Sequence, residues 1–258
     1  MNWLTPEVIG LLGQGIVLTL VLTAVTSAAA LAVGVATGIA RLSGRGGRGV
    51  WRRAAVVHIE LHRNIPALVL IIFWAFALPN LFPAGVRRTI FFDNFFINGL
   101  SDLTGLPVPY YALAAALALT LNTSAYLAEL FRAGVGTIAR EHLDAARSLG
   151  ASPLGVLQNI LIPEGIRASF PAMSTRLIHN MKNTALAAFV AVPEFFLGIQ
   201  TAVTRSFRAV EFLLLAAVVY LLLSYGYSLL LTAVEQRMAA RRVSAVFEAE
   251  KGWQPHRV

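Results

Sequence analysis

An all-α integral membrane protein with five transmembrane helices, N-terminus outside and C-terminus cytoplasmic, is the fold class this sequence predicts. Three observations lead there. Of 258 residues, 57% are hydrophobic and only 13% charged, against about 25% charged in a soluble domain, and mean hydropathy is +0.69. Five stretches are apolar for close to the 20 or so residues that a roughly 30 Å hydrocarbon core demands. The basic residues fall on alternate connections between those stretches. Cysteine is absent, which excludes disulfides, thiolate metal sites and a cysteine nucleophile. The net charge of +8 sits at the edges of apolar segments and not in aromatic-interleaved basic patches, so it signals membrane orientation and not nucleic-acid binding.

The expected spans are residues 15–39, 65–82, 110–128, 185–203 and 212–234, within one transmembrane domain covering 1–258. Nothing basic precedes the first; Glu7 does, and no charge interrupts Val8 to Ala40. A cleaved signal peptide has a basic start and an apolar core of about 7–15 residues, so the first span is expected to be retained. Inside it, Ala30, Gly34 and Gly38 recur four apart, the spacing that lets two helix backbones approach closely in lipid. Between spans two and three, Phe91, Phe92, Phe95 and Phe96 recur at helical spacing and suggest a short helix in the outer interface. The fourth span carries Pro193 and Glu194 in its middle.

Orientation follows from Lys and Arg. Loop one holds Arg41, Arg45, Arg48, Arg52, Arg53 and Arg63. Loop three, expected from about Leu130 to Thr184, holds Arg132, Arg140, Arg147, Arg167, Arg176 and Lys182. The tail holds Arg237, Arg241, Arg242, Lys251 and Arg257. Together these are 17 of the 21 basic residues; Arg87, Arg88, Arg205 and Arg208 remain for the other side.

Loop three has helical periodicity. Residues 140–150 read as a helix of good formers closed by Gly150. Ser152 caps a second helix with Pro153 at its first position; Pro163 is expected to disrupt its continuation. Ala145 and Ala146 leave the outer surface without bulk, so a partner's backbone can come close. Such a projection is shaped for docking.

The string Asp144-Ala145-Ala146, three residues, Gly150, nine residues, Ile160-Leu161-Ile162-Pro163 resembles the EAA loop of ABC importer permeases, with Asp144 in place of Glu and Ile162 in place of Leu. The resemblance continues through His62-Arg63-Asn64-Ile65-Pro66 before span two and Ser124–Gly134 at the end of span three. It includes Lys182-Asn183-Thr184-Ala185-Leu186, where polar amino acid permeases have Lys-Asp-Thr-Ser-Leu. It implies that the loop, about 140–167, engages a cytoplasmic ABC ATPase dimer through Glu141, Asp144, Ala145, Ala146, Gly150, Ile160, Ile162 and Pro163. It further implies a bacterial cytoplasmic (inner) membrane location and a second permease, identical or sister. An extracytoplasmic substrate-binding protein and a polar amino acid substrate follow too, with similarity around His62–Pro79 leaning toward glutamate or aspartate. ATP and Mg²⁺ would be bound by the ATPase. This chain has no Gly-Lys pair for a phosphate loop, since Lys182 follows Met181 and Lys251 follows Glu250, and no catalytic residue is expected.

Candidate residues along the translocation path are Asn122, Thr123, Ser124 and Tyr126, whose amide and hydroxyl groups suit transient hydrogen bonding to a zwitterion. Interhelical hydrogen bonding is their competing use. Glu194, an ionisable group in a span, faces that path, pairs with a group such as Arg205, or sits in water at the outer interface. His58 and His62 share a helix face, yet Glu60 lies roughly opposite, so a structural role is expected and no metal. Arg63 and Arg132 are expected to anchor lipid headgroups. An ion-coupled secondary transporter is the rival class; it would favour an inverted repeat, into which five spans do not divide.

Overall fold

The computed structural model describes residues 4–42, 49–93, 95–104 and 109–252. Arg45, Arg48 and Arg257 lie outside the described residues, as do the side chains of Phe96, Arg241, Arg242 and Lys251. Every regular element among the described residues is helical. Three helices are long and apolar enough to cross a membrane alone, and up to five crossings result if each of two bent helix pairs counts as one.

The first helix, α1, runs from Pro6 to Leu42 without interruption, starting well before residue 15, because nothing between Thr5 and Arg41 breaks it. At 1.5 Å per residue it is about 55 Å long, more than a bilayer core requires. After it comes α2, Val50–Asn64, and then α3, Ala67–Asn80, at 109° to α2. Pro66 makes that corner: it disfavours helical geometry at Ile65, whose φ and ψ are −96° and 131°. The second predicted span therefore corresponds to α3 alone.

The aromatic segment is not one helix. Ala84–Arg87 and the π turn Arg88–Phe92 form α4, the chain turns at Asp93 with φ −138°, and α5 follows at Phe95–Thr104. Phe91 is buried against Phe82 and Tyr110, with ring centroids 5.3 and 5.1 Å apart, whereas Phe95 is 94% exposed.

Helix α6, Tyr110–Gly136, is the centre of the bundle. Helix α7, Arg140–Ser148, is short. Then α8 runs from Pro153 to Val190, and this corrects two expectations. Pro163 does not end the helix: it sits at the second position of the run Ile162–Asn183, directly after the π turn Leu157–Leu161. A proline removes one N–H and collides with the carbonyl four residues back; the wider π turn takes up that mismatch, so the helix continues. Loop three, in consequence, does not extend to Thr184. Residues beyond Ile162 pack along the bundle, with Phe170, Met173, Leu177 and Met181 buried, and Arg176 and Lys182, both far along α8, leave the group of loop cations.

The fourth apolar stretch is likewise not one helix. The run ends in a 3₁₀ turn, Thr184–Val190, Ala191 adopts φ 59°, and α9 starts at Phe195 and ends at Ser206. Both α8 and α9 lie along α1 in the opposite direction. Asn180 donates to Thr26, a Cβ on Gly15 would stand 2.7 Å from the Phe195 Cα, and Arg205 pairs with Glu7 at 2.8 Å. The stretch from Ile162 to Ser206 thus follows one continuous course along α1, bent at 191–194. Helix α10, Ala209–Gly252, follows and extends beyond the predicted residues 212–234. Its large apolar side chains, such as Leu214, Leu221 and Leu222, are mostly exposed on one side, as a lipid-facing helix requires.

Small residues set the bundle's spacing. A Cβ on Gly34 would lie 2.8 Å from Leu127 Cβ and 3.0 Å from the Ser124 carbonyl, and one on Gly38 would lie 2.7 Å from Phe131 Cδ1. Ala30 is wholly buried beside them. The predicted seam is real, and its partner is α6, running parallel to α1. The bend carries a polar joint. Glu194, fully buried, caps α9 by accepting from the Leu197 N–H at 2.9 Å. It also accepts from the hydroxyls of Thr19 at 3.2 Å and Tyr220 at 3.1 Å.

Two outcomes follow for the purified chain in detergent. Gly34→Val should lower the unfolding midpoint, since overpacking costs about 1–3 kcal/mol, while Gly10→Val, with open space around it, should stay near wild type. Equal midpoints for the two would refute the seam. Glu194→Ala removes a cap of about 0.5–2 kcal/mol and strands two hydroxyls, so it should destabilise more than Glu194→Gln, which retains an acceptor. The reverse order would mean the carboxylate does not hold the bend.

Candidate functional site

Two regions gather the residues singled out in the sequence. The first is the turn between α7 and α8. Glu141, Asp144 and Ala145 are exposed on α7, and Ala146 is half-buried. Asp144 pairs with Arg147 at 3.1 Å. The helix closes in a Schellman turn: the Ala151 N–H reaches the Ala146 carbonyl at 3.0 Å and the Gly150 N–H reaches that of Arg147 at 2.9 Å. Gly150 has φ +82°, a region where a Cβ is unfavourable. Ser152 then caps α8 by accepting from the Gly155 N–H at 3.1 Å. Leu149 is 90% exposed at the tip and Leu154 59%, so the turn offers apolar surface to whatever meets it. Ile160, Ile162 and Pro163 lie half-buried at the root of the same helix.

The second region lies where α2, α6 and α8 converge, and it separates the four polar residues of span three. Thr123 donates to Asn180 Oδ1 at 2.8 Å, and Asn180 donates in turn to Thr26 and Ser27 at 2.8 and 3.2 Å. All four are buried, forming a closed joint between three helices. Ser124 donates to the Leu121 carbonyl and lies 3.0 Å from His58 Nε2, which makes the histidine the donor to it. His62 Nδ1 donates to the His58 carbonyl at 2.8 Å. No group of three or more metal-ligating side chains occurs among the described residues.

Asn122 and Tyr126 differ. Both are held by the C-terminal end of α2: Asn122 Nδ2 donates to the His62 carbonyl at 2.6 Å and the Tyr126 hydroxyl to that of Arg63 at 3.2 Å. Against them stands Arg176 of α8, whose Nη2 donates to Asn122 Oδ1. Its guanidinium carbon sits 3.8 Å from the Tyr126 ring centroid, and that of Arg63 sits 5.3 Å from the same ring. Arg63 is thus turned toward a ring rather than simply toward headgroups. Arg132 and Arg41 both pair with Glu129, the former at 2.9 Å. Glu194 lies apart from this region, within the bend.

Sequence reasoning missed Arg176, having placed it in a loop. The usable signal was the recurrence of Phe170, Met173, Leu177 and Met181 at helical spacing, masked by the polar residues between them.

Comparison with known proteins places this geometry. The family model described as "Binding-protein-dependent transport system inner membrane component" matches residues 30–240. The chain is 29% identical over 190 residues to the probable amino-acid permease protein YxeN of Bacillus subtilis (strain 168), covering 74% of this chain and 75% of that one. To the probable glutamine ABC transporter permease protein GlnP of the same strain it is 32% identical over 184 residues, 70% of this chain and 73% of the relative. The glutamine transport system permease protein GlnP of Escherichia coli (strain K12) is 29% identical over 192 residues, 74% and 78% of the two chains. Two solved structures share the fold. One, an amino acid ABC transporter with histidines, has a TM-score of 0.68 at 24% identity, covering 90% of this chain and 95% of the other. The second, the MetNI methionine ABC transporter in an inward-facing conformation, has a TM-score of 0.66 at 18% identity, covering 91% and 99%. With a family match spanning residues 30–240, the chain belongs to the inner-membrane components of binding-protein-dependent transport systems, as an ABC importer permease of the polar amino acid type.

Proposed function

We propose that this chain forms the membrane path of an ATP-driven importer for polar amino acids, with glutamate or aspartate favoured. ATP and Mg²⁺ act on a separate cytoplasmic ATPase dimer, whose closure is transmitted through the α7–α8 turn. A second permease, identical or sister, completes the path, and an extracytoplasmic binding protein delivers the substrate. The chain crosses the membrane five times, N-terminus outside, with α8 and α9 together as the fourth crossing. This keeps the α7–α8 turn on the basic side even after Arg176 and Lys182 are removed from the loop cations.

The observation that carries this reading is the Gly150 turn. It joins a short exposed helix to the start of α8, which runs as one rod into the bundle, so a push on the turn reaches the membrane helices. The exposed Leu149 and Leu154 supply the apolar surface that a docking cleft would cover. The polar amino acid class is supported by the relatives named as amino-acid and glutamine permeases, and the lean toward an acidic substrate by the Arg63 and Arg176 cations near Tyr126.

Topology gives the first test. A reporter active only outside the cytoplasm should give signal when fused after Leu100 and none after Ala151; the opposite result overturns the arrangement. Coupling gives the second. In the assembled transporter in lipid vesicles, Gly150→Val should insert and accumulate normally, because a Cβ there meets no atom within 4 Å in the chain itself. The change adds about 1–2 kcal/mol of backbone strain and bulk against the partner, so ATP-driven uptake should drop severalfold or more. Wild-type uptake by that variant would remove the turn from the mechanism.

A further inference from the structure

The Arg176 guanidinium is half-buried, and its only hydrogen bond among the described residues goes to Asn122. Its Nε is buried without a partner. None of the ion pairs among the described residues includes it. A buried cation is ordinarily paired, because leaving one uncompensated is strongly destabilising. Here one face is covered by Tyr126 at 3.8 Å, and the amide that touches Arg176 is locked in turn to the end of α2. Held on one nitrogen and on one face, the guanidinium has a fixed orientation with donors left over. Such a fork matches two coplanar acceptor oxygens.

The site lies well along both helices from their loop ends. Arg176 lies thirteen residues beyond Pro163 along α8, about 20 Å by helical rise, and Tyr126 lies ten residues before the end of α6, about 15 Å. Arg63 adds a second positive charge at the same ring.

We propose that Arg176, braced by Tyr126 and Asn122 and assisted by Arg63, binds a carboxylate of the amino acid passing through this chain. This rests on the permease reading above and deepens it. Asn122 and Tyr126 act as positioning residues; Arg176 meets the substrate.

The test uses the full chain in lipid nanodiscs and the binding of radiolabelled L-glutamine and L-isoglutamine, which keep the α- and the side-chain carboxylate respectively. L-glutaminamide, which has neither, is the competitor. Wild type should bind at least one of the two acids, and L-glutaminamide should compete at least tenfold more weakly. Arg176→Gln should weaken binding at least tenfold, and Arg176→Lys, which keeps the charge without the fork, should fall between. Loss confined to glutamine identifies the α-carboxylate, and loss confined to isoglutamine the side-chain carboxylate. Asn122→Asp gives a second route that leaves the arginine in place: an internal carboxylate would occupy the fork and abolish binding. A wild-type chain that binds neither acid, equal competition by L-glutaminamide, or unchanged binding in Arg176→Gln or Asn122→Asp each overturns the proposal. The two readings fail separately. Normal binding and uptake in Arg176→Gln, with uptake still lost in Gly150→Val, removes only the carboxylate site; normal uptake in Gly150→Val counts against the coupling reading whatever Arg176 does.

Discussion

Close approach of backbones along α1 is the constraint on which the rest of this bundle depends. In lipid there is little hydrophobic gain from bringing two helices together, so packing and polar contacts must hold them. Packing improves with smaller separation. On α1 the required small residues occur in two sets. Ala30, Gly34 and Gly38 admit α6, while Gly15, further up, admits the first residues of α9. A third close contact, Gly134 against Gly165, brings α6 to α8; a Cβ on Gly134 would stand 2.5 Å from the Gly165 carbonyl. With α1, α6 and α8 fixed in this way, little freedom remains for the connecting segments.

Polar side chains are then placed where those helices already meet. Asn180 satisfies hydroxyls from α1 and α6 together, and Glu194 satisfies α1, α9 and α10 at the bend. Both are functional candidates by residue type alone, because an amide or a carboxyl inside a membrane protein is costly unless it is used. Their use here is structural in geometry: each is buried and each has its partners. Arg176 is different because a donor of its guanidinium has none. The contrast matters for reading membrane proteins, since an unsatisfied buried group is more informative than a merely polar one.

What could be read from the sequence divides along the same line. Apolar length and small-residue spacing act locally, so α1, α6 and the Gly34–Gly38 seam were legible, as was the Gly150 turn, whose chemistry is written in consecutive residues. The course of α8 was not legible. Its buried face includes Ser169, Ser174 and Asn180, so hydropathy fell below that of a span although the helix packs along α6. Pro163 misled for a related reason: the rule that proline stops a helix assumes an α-helical turn before it, and the π turn at Leu157–Leu161 is not visible in residue types. Glu194 had three readings from sequence, none of which named its observed place: it is buried in the bend by Thr19 and Tyr220, residues far from it in the chain, while Arg205 pairs with Glu7.

The π turn also bears on how the proposed coupling would work. A helix broken at Pro163 would let the α7–α8 turn swivel with no effect on the bundle. A helix that continues through Pro163 cannot do this, because residues on either side share one axis. Motion applied at Ser152 is then delivered to Gly165, where α6 and α8 touch backbone to backbone, and on to Arg176 and Asn180. Gly165 leaves no side chain to yield at that crossing, so α8 must pivot there or carry α6 with it. In the first case the Arg176–Asn122 bond breaks, because its two ends lie on different helices. In the second it survives and the α2 end moves as well, since Asn122 and Tyr126 are tied to the His62 and Arg63 carbonyls. Only the first case changes the geometry around Tyr126; in the second, Arg63, Asn122, Tyr126 and Arg176 move as one body. A pivot of α8 at Gly165 is therefore the motion that would link the turn to the proposed site at Arg176.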